Sequence, residues 1–274
     1  MNALATTAAV LLATVSLAQN PNVQDEFFSG RLRQQGDALV FCTWDRAATG
    51  PLDAAIAHKS AEILLLDVRV EVIEQDVDLS GEEMLQWIWV LLSDECDLFL
   101  GFNLVTGIYP AWLTPSRPYL DAPYVAAVSN QEYSSLADVP RGSLVGSQLY
   151  TQLDNILTVN LREQGEQADW RRLPYDDPEM LLHHVNEGII EAGILWGPRY
   201  SALLHDGLVP DGVKTVDLPP SLASITDQIG AMAFTRNSWL ISEFDAAISE
   251  LIQSEELARL IREHDIHARV PNTR

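Results

Sequence analysis

The feature that most constrains the fold is an alternation of short apolar runs with segments of helical periodicity. Ala38–Trp44 is a continuous apolar run of strand length, which is typical of a strand buried in a parallel sheet. A helical pattern opens at Pro51, a second strand follows around Val68–Val72, and the apolar segment Cys96–Phe102 follows another helix. This β-α-β-α-β order predicts an α/β fold with a parallel sheet covered by helices.

The pattern restarts after Asn130 and indicates a second, smaller α/β unit. Ser143–Gly146 ends a short strand, and Ser147–Leu157 has a helical pattern. Asp177 is a typical N-cap before a further helix, and Ile189–Trp196 is another apolar strand. The strand-like Ile229–Thr235 and two amphipathic helices then complete the chain.

The charge balance restricts the partners. The 274 residues include 17 Lys and Arg against 39 Asp and Glu, which gives a formal net charge of −22. A field of this sign repels phosphate backbones and anionic lipids, so nucleic-acid binding is not expected. A neutral or cationic ligand remains compatible. The alternative is that the acidic surface serves only solubility.

The first residues form a compositional block of their own. Met1–Ala18 has no charged side chain, and Ser16 and Ala18 are small residues at the positions that a signal peptidase reads. We predict a secretory signal peptide over residues 1–18, followed by an N-terminal arm over 19–37. A buried N-terminal helix is the alternative. No other apolar run is long enough to cross a bilayer, so the protein is not expected to be membrane-embedded.

Two cysteines, Cys42 and Cys96, are present. In an oxidising compartment such a pair can form a disulfide, and two reduced, buried thiols are the equal alternative. The sequence alone leaves both open, because placement on strands does not guarantee the short Cα separation that a bond requires.

Six segments, taken in order, resemble bacterial type II periplasmic solute-binding proteins of family 3, and the run Arg117–Tyr124 is the most telling. The segments are ALVFCTW (38–44), ECDLFLGF (95–102), TPSRPYLDAPYVAAV (114–128), LADVPRGSLVGSQLYTQ (136–152), EAGILWGPRYSALL (191–204) and the stretch 229–266.

This resemblance implies two lobes joined by two crossing strands, near Tyr124–Val128 and Thr226–Phe234. Lobe 1 would comprise residues 38–127 and 225–274, and lobe 2 residues 128–224. A solute would lie in the cleft, and the lobes would close over it by a hinge. The implied protein is a periplasmic monomer without cofactor that delivers a small-molecule solute to an ABC permease or a sensor.

The candidate ligand residues follow from the rule that open parallel sheets bind ligands at the carboxyl ends of their strands. In lobe 1 they are Thr43, Trp44, Asp45, Phe102, Asn103 and Thr106. In lobe 2 they are Ser147, Gln148, Tyr150, Thr151, Trp196 and Arg199. Ordinary packing is the alternative for the two tryptophans, and a surface salt bridge for Arg199.

Two departures from the family pattern bear on the ligand. Amino-acid-binding members usually carry an arginine shortly after the third strand, but residues 103–110 contain none. They usually carry an acidic residue after the lobe 2 strand, where this chain has Trp196-Gly197. Because both charge partners of a zwitterion are missing, a free amino acid is disfavoured as the ligand.

Two other functions remain open. The cysteine in the first strand, the ECD sequence and ILWGP resemble a subgroup encoded beside quinoprotein alcohol dehydrogenases, which implies an accessory role for such an enzyme. Cyclohexadienyl dehydratase shows that this fold also supports enzymes, and Asp45 is the carboxylate that we can place in the cleft. No nucleophile elbow, phosphate loop, dinucleotide fingerprint or zinc-protease helix is present, and His183, His184 and Glu187 on one helix are better explained as exposed residues, so we predict no catalytic residue, cofactor or metal.

Overall fold

The computed structural model describes residues 38–45, 47–74, 82–105, 107, 109–165 and 169–272, with the backbone alone at Glu82 and Gln164. The predicted signal peptide and arm (1–37) and the candidate ligand residue Thr106 lie outside the described residues.

The described residues form strands and helices in alternation. The strands are β1 (Leu39–Trp44), β2 (Val68–Ile73), β3 (Leu98–Asn103), β4 (Leu113–Pro115), β5 (Leu120–Val128), β6 (Ser143–Gln148), β7 (Trp170–Tyr175), β8 (Ala192–Trp196), β9 (Lys214–Val216) and β10 (Thr226–Phe234). The helices are α1 (Gly50–Leu64), α2 (Glu82–Asp94), α3 (Gln152–Gln164), α4 (Pro178–Asn186), α5 (Gly197–His205), α6 (Pro220–Ala223), α7 (Ser238–Gln253) and α8 (Glu256–Glu263). None of these helices is long and apolar enough to span a membrane.

The strands follow the order β2-β1-β3-β10-β5-β8-β6-β7, with β4 beside β10 and β9 beside β5. Strand β1 pairs in parallel with β2 and β3, and β6 pairs in parallel with β7 and β8. We call β1–β4 with β10 the first sheet section, and β6–β9 the second. Both sections have the parallel α/β character that the sequence predicts.

Strands β5 and β10 connect the two sections. Leu120–Pro123 of β5 pairs antiparallel with Thr226–Ile229 of β10, whose later residues pair with β3 and β4. The remainder of β5, Tyr124–Val128, pairs with β8 in the second section. One strand therefore contributes to both sections.

Each section has its own apolar core. The first core joins Phe41, Leu98 and Ala231 to residues of α1, α7 and α8. The second section has a core on each face of its sheet: Tyr124, Ala126 and Val128 contribute to one, and Val125 and Ala127 to the other. This division follows from the alternation of side chains along a strand.

Cys42 on β1 and Cys96 just before β3 form a disulfide, with sulfurs 2.00 Å apart and Cα atoms 5.8 Å apart. Of the two alternatives that the sequence leaves open, a disulfide or two reduced thiols, the structure contains the disulfide. The bond is possible because β1 and β3 are paired neighbours, with Cys42 opposite Phe99.

The helix predicted from Ser147 begins later than expected. Ser147 and Gln148 are the last residues of β6, where they lie opposite Pro174 and Tyr175 of β7. The sequence analysis did not identify β7, because its sequence WRRLPY carries two arginines and a proline. Pairing with this strand holds Ser147 and Gln148 in an extended conformation.

The segment after α8 runs beside β5. Asp121 and Arg269 exchange two backbone hydrogen bonds of 2.9 Å. The backbone N–H of His267 donates to Ser201 Oγ at 2.9 Å, and the same hydroxyl contacts His267 Nδ1 at 2.9 Å. The segment thus touches both a crossing strand and α5.

Candidate functional site

The candidate ligand residues lie at two groups of strand ends, with the crossing strands between them. Strands β1 and β3 end at Trp44 and Asn103, and β6 and β8 end at Gln148 and Trp196. The loops and helix starts after these four strands carry the remaining candidates.

Trp44 and Phe102 belong to one aromatic group. The Trp44 ring stacks on Trp87 of α2 at 4.8 Å between centroids, lies 4.6 Å from Phe99, and meets Phe102 edge-on at 5.8 Å. Such pairs stabilise by about 1 kcal/mol beyond the area that they bury. Trp44 is half-buried, so the group combines packing with a residual exposed surface. The strand-end rule missed Trp87 because it lies on a helix.

The other two candidate ligand residues at the end of β1, Thr43 and Asp45, differ in their exposure. Thr43 is buried, and its hydroxyl has no hydrogen-bond partner among the described residues. Asp45 is exposed, and its backbone N–H donates to the Ile73 carbonyl at 3.1 Å.

The crossing strands bring a tyrosine and a buried carboxylate together. The Tyr124 hydroxyl on β5 donates to Asp227 Oδ2 on β10 at 2.7 Å, and it accepts the backbone N–H of Gln152 at 3.1 Å. Asp227 also accepts a hydrogen bond from the side chain of Asn103. The sequence analysis placed Tyr124 and Asp227 on the crossings but did not assign them to the site.

Burial dominates the electrostatics of this pair. Desolvation raises the pKa of Asp227, while the hydrogen bonds from Tyr124 and Asn103 lower it. Desolvation, with the nearby Asp227 charge, raises the pKa of Tyr124. Tyr124 therefore stays protonated at neutral pH and remains the donor in its bond to Asp227.

The turn between β6 and α3 is held by its own polar groups. Gln148 Oε1 accepts the backbone N–H of Trp196 at 3.0 Å, which ties the ends of β6 and β8 together. Thr151 is the N-cap of α3: its hydroxyl accepts from the Asp154 backbone N–H at 3.2 Å and donates to the Gln148 carbonyl at 2.9 Å. Tyr150 has a positive φ of 63° and is 92% exposed.

Trp196 and Arg199 follow one another at the end of β8. Trp196 is half-buried between the first core and one core of the second section. Its indole N–H is buried without a hydrogen-bond partner among the described residues. Arg199 lies in the first turn of α5 and is half-buried. The structure thus brings Trp196 beside Gln148 and Tyr124, its neighbour on β5.

Ser147 is engaged in a buried ion-pair network. Its hydroxyl donates to Asp154 Oδ1 at 2.5 Å and accepts from Arg172 Nε at 3.0 Å. Arg172 also donates to both carboxylate oxygens of Asp154, at 2.6 and 2.8 Å. These bonds fasten β6, β7 and α3 to one another. The contact of Ser147 with a ligand stays a prediction.

A second buried carboxylate lies beneath the aromatic group. Asp53 of α1 accepts from Thr49 Oγ1 at 2.7 Å and from the Tyr119 hydroxyl at 2.8 Å. Burial raises the pKa of Asp53 to about 7, and these two hydrogen bonds oppose the rise. Gly101 has a φ of +88°, and a Cβ there would lie 2.9 Å from Asp53 Oδ2 and 3.0 Å from Trp44 Cδ1. This close packing explains the glycine.

The described residues contain no group of three or more His, Cys, Asp or Glu side chains that could hold a metal ion.

Comparisons with known proteins give structural matches only. No family model matches the chain, and no curated protein matches its sequence. The second substrate-binding domain of a putative amino acid ABC transporter from Streptococcus pneumoniae is 16% identical, with a TM-score of 0.63 over 82% of this chain and 99% of that one. The substrate-binding domain 2 of Lactococcus lactis GlnP, in an open conformation, has the same identity and TM-score over 86% and 98%.

A histidine kinase sensor domain similar to periplasmic binding proteins is also matched, at 14% identity and a TM-score of 0.55 over 87% of this chain and all of that one. These likenesses cover nearly the whole length of each relative. The chain therefore has the two-lobed, type II periplasmic-binding-protein-like α/β fold.

Proposed function

We propose that this protein binds a small solute between its two sheet sections, outside the cytoplasm. The observation that carries the proposal is the arrangement at the crossing strands. Asn103, from the end of β3, and Gln152, from the start of α3, meet the same Tyr124–Asp227 pair. Groups from both sections thus meet near the carboxyl ends of β3 and β6, and open α/β sheets bind ligands at the carboxyl ends of their strands.

We infer that the solute is neutral or cationic and lacks the zwitterionic head of a free amino acid. The carboxylates of Asp45 and Asp227 outnumber the one cationic candidate, Arg199. No arginine lies within residues 103–110 to pair with a ligand carboxylate. The aromatic group around Trp44, and Trp196, favour a ligand with an apolar or flat part.

The remaining predictions extend this proposal. Lobe 1 is assigned to residues 38–127 and 225–274, and lobe 2 to 128–224. A signal peptide over 1–18 would export the protein to the periplasm, where an ABC permease or a sensor would receive the loaded form. The disulfide between Cys42 and Cys96 supports an oxidising compartment.

The test is to identify what the protein carries. We expect native mass spectrometry of the purified protein to reveal a bound small molecule. Adding this molecule back at a hundredfold excess over its Kd should stabilise the fold by about 2.7 kcal/mol. Gln148→Ala should weaken the binding, whereas Gln131→Ala, at a glutamine between β5 and β6, should not.

The same experiment distinguishes the alternatives. If no small molecule binds while a quinoprotein dehydrogenase co-purifies, the accessory role replaces the proposal. If the bound molecule is converted and Asp45→Asn abolishes turnover, the protein is an enzyme of the dehydratase type. A chain that binds neither a small molecule nor a partner contradicts all three.

A further inference from the structure

A continuous series of hydrogen bonds links the two sheet sections through the crossing strands. The backbone N–H of Gln152 donates to the Tyr124 hydroxyl at 3.1 Å, the Tyr124 hydroxyl donates to Asp227 Oδ2 at 2.7 Å, and the Asn103 side chain interacts with Asp227 so as to lower its pKa. We call these four groups the crossing chain. Asn103 and Gln152 are exposed, whereas Tyr124 and Asp227 are buried at 5% exposure each.

The chain has one direction at its centre, because the Tyr124 hydroxyl donates to Asp227 Oδ2. When Asp227 is ionised it has no proton to donate, and Asn103 must then also be a donor toward it. The Tyr124 hydroxyl has given its single proton to Asp227, and its lone pair is therefore available for the N–H of Gln152. Each member thus fixes the orientation of the next.

This order determines how Asn103 is presented. With the amide nitrogen toward Asp227, the amide oxygen of Asn103 is free to accept a hydrogen bond from a ligand, and the second N–H of the amide can still donate one. A ligand that meets Asn103 through this oxygen must carry a donor, such as an ammonium or a hydroxyl group. This chemistry agrees with the neutral or cationic solute inferred above.

We propose that Tyr124 and Asp227 are positioning residues, which hold the ends of β3 and α3 in a fixed relative placement and orient Asn103 for a donor-bearing ligand. Only the part of the inference that concerns a ligand of Asn103 rests on the proposed function. The placement of β3 against α3 is a property of the unliganded protein and can be tested without one.

Three variants interrupt the crossing chain at different members. Tyr124→Phe removes the hydroxyl, and Asp227→Asn removes the carboxylate while it keeps the size of the side chain. Gln152→Pro removes the backbone N–H together with an exposed side chain. Gln152 is the first residue of α3, where proline is well accepted, and Thr151 before it has the extended conformation that a following proline requires.

Tyr133→Phe is the matched control. The Tyr133 hydroxyl donates to the Glu191 carboxylate at 2.7 Å, the same distance as in the Tyr124–Asp227 pair, but Tyr133 packs against a core of the second section and Glu191 immediately precedes β8. It is therefore a tyrosine–carboxylate pair that does not join the two sections.

The experiment measures the distance between two spin labels by pulsed electron paramagnetic resonance, without ligand. The labels are attached at Val90→Cys on α2 and Val159→Cys on α3, both exposed, with the native disulfide intact. We expect a single narrow distance distribution in the parent and in Tyr133→Phe. In the three chain variants the distribution should shift or broaden beyond the parent's full width.

Unchanged distributions in Tyr124→Phe and Gln152→Pro would overturn the inference. Should Asp227→Asn fail to fold, the surface variant Gln152→Pro still decides the question. A shifted distribution in a protein that carries no solute would uphold the positioning role and contradict the proposed function, so the two failures are distinguishable.

Discussion

Two buried aspartates in corresponding places show that the two sheet sections stabilise a buried carboxylate with different partners. Asp53 lies in the first turn of α1 and Asp154 in the first turn of α3, and each accepts a hydrogen bond from a nearby hydroxyl. Asp154 is paired with Arg172 through two hydrogen bonds. Asp53 has the hydroxyls of Thr49 and Tyr119 instead, and its pKa is raised by burial.

The difference comes from the neighbouring strand. In the second section, β7 lies beside β6 and supplies an arginine to the carboxylate; in the first, the partners of Asp53 are hydroxyls from the helix N-cap and from the residue before β5. A hydroxyl satisfies the lone pairs of a carboxylate but does not balance its charge. The first section therefore holds a carboxylate that takes up a proton easily, and the second holds an ion pair.

The sections also differ in how the chain builds them. The second section comes from one continuous stretch, 143–216, whereas the first combines 39–115 with 226–234. The single disulfide among the described residues lies in the discontinuous section. The bond closes a loop of 54 residues between β1 and the start of β3, and so limits the conformations of the unfolded chain within the first of the two stretches that build this section.

The largest expected effect comes from removing this cross-link. The double variant Cys42→Ala, Cys96→Ala opens a loop of 54 residues. In the chain-entropy description we expect a loss of about 4 kcal/mol in the free energy of unfolding. Guanidinium titration followed by tryptophan fluorescence measures it. A loss below about 1 kcal/mol would show that the discontinuous section does not depend on its bond.

The next effect concerns the ion pair of the second section. Arg172→Ala leaves Asp154 buried without its cation, and we expect a loss of about 3 kcal/mol in the free energy of unfolding. Arg141→Ala is the control, because its pair with Asp169 is exposed and should contribute less than about 1 kcal/mol. Equal losses in the two variants would contradict the role given to burial.

The next prediction concerns Asp53, whose raised pKa should make the free energy of unfolding depend on pH. Its folded pKa is about 7 and lies above the value of 3.8 for a free aspartate, so the folded state holds the proton in this window while the unfolded state has lost it. Stability from this group is complete below pH 3.8 and is lost as the pH rises to about 7, at up to about 1.4 kcal/mol per pH unit.

Asp53→Asn should remove this contribution. Relative to the parent, the variant should become progressively more stable from pH 4 to pH 7, as measured by chemical denaturation at each pH. Asp138→Asn gives the opposite sign in a lower window: backbone hydrogen bonds from Ser134 and Ser135 lower the pKa of Asp138, so its contribution is present above pH 3.8 and is lost as the pH falls below that value. Parallel pH profiles for Asp53→Asn and the parent would refute the assignment.

The smallest expected effect on stability concerns the N-cap residues of α1 and α3. Thr151 caps α3 with its hydroxyl, whereas Thr49 of α1 uses its hydroxyl for Asp53 and forms no side-chain cap. Thr151→Ala should cost about 1 kcal/mol at every pH. The loss in Thr49→Ala should grow as Asp53 ionises, since the hydroxyl then stabilises a charge. Thermal melts at pH 5 and pH 8 compare the two, and equal pH responses would count against the distinction.

Local patterns predicted much of the fold. The apolar runs gave β1, β3 and β8 within two or three residues, and Asp177 is the predicted N-cap, with its side chain accepting from the Glu179 backbone N–H. Strand β7 was missed because two arginines and a proline interrupt its apolar residues and it lies at the edge of the sheet. The extended conformation of β7 depends on its pairing with β6, and a local pattern of apolar residues does not reveal such a pairing.

The site was harder to predict for a related reason. Strand ends gave Trp44, Asn103, Gln148 and Trp196, which the structure places beside the crossing strands or in the aromatic group. Tyr124 and Asp227 are separated by 103 residues, and nothing near either one signals the other. Their contact depends on the pairing of β5 with β10, which is a property of the assembled sheet.

The position of β10 between β3 and β5 has a consequence for biosynthesis. As the polypeptide leaves the ribosome, the strands up to β3 emerge early, but the neighbour that covers their edge is among the last segments to be made. The middle stretch from β6 to β9 can complete its pairing sooner. Nascent chains stalled before Thr226 should therefore resist proteolysis in their middle part and remain sensitive in the part made first.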